Sequence, residues 1–64
     1  MWTKMNEDGD RYARANNKWA KIHKMHGGGY LVVKGWKSDF KGQNTQRTPS
    51  FAHARIIGEN WIND

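Results

Sequence analysis

The sequence predicts a small α+β domain over residues 1–64, an antiparallel sheet of about three strands packed with one amphipathic helix. Three observations carry that class. Residues 10–26 separate into an apolar side and a basic side when wound at about 100° per residue. Gly27-Gly28-Gly29 is followed by Tyr30-Leu31-Val32-Val33, an apolar run with the length and composition of a strand. Residues 49–62 open on a proline and repeat apolar residues at helical spacing.

The first element admits two readings. As a helix over 10–26, it places Tyr12, Ala15, Trp19, Ile22 and His26 on one side. Arg11, Arg14, Lys18, Lys21 and Lys24 lie opposite, with Met25 among them. Asp10 suits the N-cap and Gly27 the position just past the end. Alanines, Met25 and the basic residues outnumber the strand formers, so the helix is the favoured reading. Asn16-Asn17 in its middle is the cost.

The alternative is a three-stranded meander over 11–36 followed by a helix at 49–62. Asn16-Asn17 then forms a two-residue hairpin turn, because asparagine tolerates positive φ. Strands 11–15, 18–25 and 30–36 expose Arg14, Trp19, Lys21, His23, Lys34 and Trp36 on one face. Ala20, Ile22, Leu31 and Val33 fall on the other and need a cover. The helix supplies it: Thr48 caps, Pro49 takes the first helical position, and Phe51, Ala54, Gly58, Trp61 and Ile62 share a side. In this arrangement "KWAKIHKMHGGGYLVVKGW" resembles the hairpin of phage-integrase arm-binding domains. Their three-stranded sheet, backed by a C-terminal helix, reads DNA from its basic and aromatic face. The likeness covers residues 18–36, and the segment from Lys37 to Thr48 is longer than that pattern.

Large aromatics must fill a core with few aliphatic residues. The candidates are Trp2, Tyr12, Trp19, Trp36, Phe51 and Trp61, with Ile22, Leu31, Val32, Val33, Ile56, Ile57 and Ile62. No cysteine is present, so neither a disulfide nor a thiolate zinc site is available. The longest apolar run is far short of a membrane span, and "MWTKMNEDGD" lacks the apolar core of a signal peptide. The expectation is a cytoplasmic protein with no membrane partner.

Charge points to function. The net is +5 and the pI near 9.9. Between Arg11 and Arg55 there are ten basic residues and one acid, Asp39. The remaining acids lie near the two ends. A total of this size is ordinary for a soluble domain, but the segregation is the footprint of a polyanion binder. Lysine and arginine neutralise phosphates, and aromatic rings stack on unpaired bases. The expected nucleic-acid-binding set, for DNA or RNA, is Arg11, Arg14, Lys18, Lys21, Lys24, Lys34, Trp36, Lys37, Phe40, Lys41 and Arg47. Trp36, Phe40 and their polar neighbours up to Arg47 read as a flexible positive loop; Trp19 and Tyr30 are further stacking candidates.

A different class competes with this one. The same basic face would fit an acidic patch on a larger host enzyme, making the chain a small inhibitor or modulator of the kind found among phage and mobile-element proteins. Homodimerisation through an uncovered strand edge is compatible with either. Catalysis is not expected. Ser38 and Ser50 have no base beside them, and the chain leaves little room for a water-excluding pocket. No cofactor is expected either: the glycine run matches no phosphate loop. His23, His26 and His53 make a poor metal set without cysteine or paired carboxylates, so no metal site is expected.

Overall fold

Two consecutive left-handed residues decide the first element. Asn16 and Asn17 have φ of 54° and 63°, which a right-handed helix does not accommodate. They form a primed hairpin turn whose twist matches its flanking strands. Residues 10–26 are therefore not the helix favoured above but a hairpin, β1 (Asp10–Ala15) and β2 (Lys18–Lys24). The computed structural model describes residues 2–64, with the side chains of residues 39–43 outside the description.

A tighter connection follows. Met25 N–H donates to the Gly29 carbonyl, and Gly28 N–H donates back to that of Met25. Gly28 and Gly29 have φ of 100° and 83°, which is what the glycine run provides. β3 (Tyr30–Trp36) and β4 (Asp39–Thr48) complete a four-stranded antiparallel sheet in the order β1-β2-β3-β4. β4 replaces the loop expected over 37–48. Its sequence, rich in Gln, Asn and Thr, lacks the apolar alternation of a half-buried strand. It forms because β3 offers it a paired edge, from Tyr30↔Thr48 to Lys34↔Asn44.

The single helix, α1 (Phe51–Asn63), crosses one face of the sheet. Ser50, not Thr48, is its N-cap: Ser50 Oγ accepts from the His53 N–H at 3.1 Å. Thr48 is the buried last residue of β4, and Pro49 precedes the cap. The C-terminal carbonyls are held from the sheet. Lys18 Nζ donates to the carbonyls of Trp61 and Asp64 at 3.1 and 3.0 Å, and Asn16 Nδ2 to that of Ile62 at 2.8 Å. Lys18 thus supplies the positive charge that the last helical turn lacks.

The core is built of small residues. Ala13, Ala20 and Ile62 form one cluster; Ile22, Val32 and Ala54 form another. Trp2 packs against both, while its Nε1 donates to Glu59 at 2.9 Å. Trp2 reaches this place because Thr3 bonds Tyr12 through both its N–H and its Oγ1, laying the N-terminal segment beside β1. Aromatics rim the core rather than fill it, and the expected core members Trp36 and Ile56 are 46% and 54% exposed. Among the described residues no helix is long and apolar enough to cross a membrane.

Candidate nucleic-acid interface

Register decides which side chains share the face that α1 leaves uncovered. Arg14 pairs with Trp19 and Tyr12 with Lys21 across β1 and β2. Lys21 pairs with Val33, Trp19 with Gly35 and His23 with Leu31 across β2 and β3; Leu31 pairs with Arg47 on β4. Directly opposed residues point to the same side. The open face therefore carries Tyr12, Arg14, Trp19, Lys21, His23 and Arg47. Ala13, Ala20, Ile22 and Val32 point to α1.

This corrects half of the meander. β2 presents Trp19, Lys21 and His23 as expected, but β3 is turned over. Ile22 opposes Val32, so Leu31 and Val33 lie on the open side, while Lys34 and Trp36 share the helix side. The run Leu31-Val32-Val33 has no alternation to set its parity. A one-residue slip moves every side chain to the other face.

Trp19 is fixed in an unusual pose. A Cβ built on Gly35 would lie 2.5, 2.6 and 2.8 Å from three atoms of the Trp19 ring. The indole therefore lies across the bare Gly35 backbone. Its Nε1 donates to the Trp36 carbonyl at 3.1 Å, anchoring one edge. The residue remains only half-buried. Beside it opens a concavity of about 610 Å³ at the end of the hairpin, lined by Tyr12, Arg14, Trp19, Lys21, Lys37 and the Asn16-Asn17 turn, and reached from the helix side by Ala15 and Lys18. Lys37 reaches this place because its N–H donates to the Asn17 carbonyl at 2.9 Å, joining the β1–β2 and β3–β4 turns.

Among the described residues of the strands, one acid shares the face. Asp10 is buried and lies 2.6 Å from His23 Nδ1, so its carboxylate is engaged. The cations around Trp19 have no salt-bridge partner among the described residues.

The expected binding residues thus divide. Arg14, Lys21, Lys37 and Arg47 belong to the open side or its rim. Lys18 does not: it is 8% exposed, its ammonium is bonded to helix carbonyls, and it sits 4.6 and 5.1 Å from the ring centroids of Trp61 and Trp36. Trp36 meets Trp61 edge-on at 5.3 Å on the helix side. Arg11 lies over Phe51 at 5.4 Å, and Lys24 and Lys34 share its parity. The side chains of Phe40 and Lys41 lie outside the described residues. Tyr12 was absent from the expected set and Trp19 secondary in it; their alternation with Ala13 and Ala20 was the available signal. Among the described residues no three His, Cys, Asp or Glu side chains are placed to hold a metal. His23 bonds Asp10, and His53 lies 3.4 Å from Ser50 Oγ.

Compared with protein-family models, curated proteins and solved structures, the chain shows no match in any of the three.

Proposed function

We propose that this protein is a small, non-catalytic, cytoplasmic nucleic-acid-binding module that uses the helix-free face of its sheet. One observation carries the reading: Arg14, Lys21 and Lys37 converge on one concavity with two aromatic rings, Tyr12 and Trp19. Free cations neutralise phosphates and release their counterions, and rings supply contact to bases. Arg47 extends the positive track along the sheet. From the Gly35 row to the Leu31 row is four residues, about 13 Å of strand.

Fluorescence anisotropy with labelled DNA and RNA, at low salt and at about 0.15 M, tests the reading. Binding that persists at the higher salt and collapses in an Arg14→Glu/Lys21→Glu double variant supports it. Binding confined to low salt rejects it and sends the search to an acidic protein surface. In that case a few aromatic or arginine anchors, rather than total charge, would set affinity.

A further inference from the structure

We infer that the ligand is single-stranded, and that Trp19 is the platform on which one of its bases stacks. This rests on the nucleic-acid reading and narrows it to one class. The argument begins at Gly35, where a side chain is sterically excluded by the indole. The ring is supported from below by backbone and tethered at its edge by the bond to Trp36. It cannot swing outward as a wedge between paired bases without breaking that bond. What it offers is the ring surface away from Gly35. A flat, anchored aromatic presents a π-face to any unpaired base, whereas a paired and stacked base has no free face to give it.

The surroundings fit a nucleotide rather than a base alone. The concavity beside the ring has the volume of a small-molecule site. Arg14 directly opposite and Lys21 two residues on share the face of Trp19, and Lys37 stands at the turn. A base on the indole therefore leaves its flanking phosphates within a cationic border.

The test compares three ligands on the unaltered protein at about 0.15 M salt: a short single strand, the same strand made abasic at successive positions, and its duplex. The single strand is expected to bind best, and loss of the stacked base to weaken it roughly tenfold. Trp19→Leu is expected to lose a similar factor and to become indifferent to the abasic site. Preference for duplex, or an intact chain and an abasic chain bound alike, overturns stacking while leaving the cationic reading in place. An abasic penalty that survives in Trp19→Leu overturns the role of this ring. No binding of any of the three overturns both inferences. The wild-type comparison needs no variant, so it stands even where Trp19→Leu impairs folding.

Discussion

At the residue scale, two side chains have exchanged the roles their chemistry suggested. Lys18 is a cation that builds the fold. Its amine closes the helix C-terminus and stands over two tryptophan rings. Replacing it with methionine removes two charge-assisted bonds and is expected to cost about 1–3 kcal/mol in chemical denaturation. Nucleic-acid affinity of the folded variant should be unchanged. Lys21→Ala is expected to behave oppositely, binding more weakly with stability nearly intact. Trp19, conversely, is an aromatic that stays out of the core. Gly35→Ala forces its ring upward and is expected to cost about 1–3 kcal/mol, as overpacking does. Indole NMR shifts of Trp19 would report the displaced ring.

At the element scale, the hairpin turn and the helix seat carry the architecture. Asn17 holds φ of 63°. Asn17→Val, which resists that region, is expected to lower stability by about 1–2 kcal/mol in thermal or urea unfolding. Gly58 looks like a flaw in α1 until its neighbours are considered. A Cβ there would lie 2.7 Å from the Trp2 ring and 3.3 Å from Ala20 Cβ. Gly58→Ala gains about 1 kcal/mol of helix propensity but loses the close approach. It is expected to destabilise the native chain and to stabilise a Trp2→Ala background, where the ring is gone. A double-mutant cycle by denaturation reads that change of sign.

The same elements show what was legible. The Asn16-Asn17 turn and the closing helix appear only in the alternative meander; the α+β class and the strand after the glycines can be read from local chemistry. Residues 10–26 cannot, because their apolar positions satisfy two periods at once. Tyr12, Ala15, Trp19 and Ile22 line one side of a helix, yet in the sheet Tyr12 and Trp19 face away from Ile22. Pairing with β3, a long-range contact, breaks the tie. β4 is invisible for a related reason: its residues 44–47 are exposed on both sides, so burial leaves no pattern to read. Half of the open face was nonetheless legible, since Arg14, Lys21 and Trp19 alternate with alanines.

At the scale of the whole molecule, the sheet separates two tasks. One side buries Ala13, Ala20, Ile22 and Val32 under α1, with Trp2 and Trp61 around them. On the other, Tyr12, Trp19 and Lys21 are half-buried, and Arg14, Lys37 and Arg47 are exposed. Among the described residues Arg14, Lys21, Lys37 and Arg47 would make four phosphate contacts, so log K against log salt should fall with a slope of about −3 for a single strand. Lys21→Ala should flatten it by about 0.7. Charge substitutions on the helix side, such as Arg55→Gln, should leave it unchanged.

The most direct measurement follows backbone amide and indole NMR shifts while a short oligonucleotide is added at about 0.15 M salt. The largest changes are expected at Arg14, Trp19, Lys21 and Arg47, including the Trp19 indole N–H, with residues 51–63 of α1 nearly still. Changes centred on α1, or none at all, would contradict an interface on the open face of the sheet.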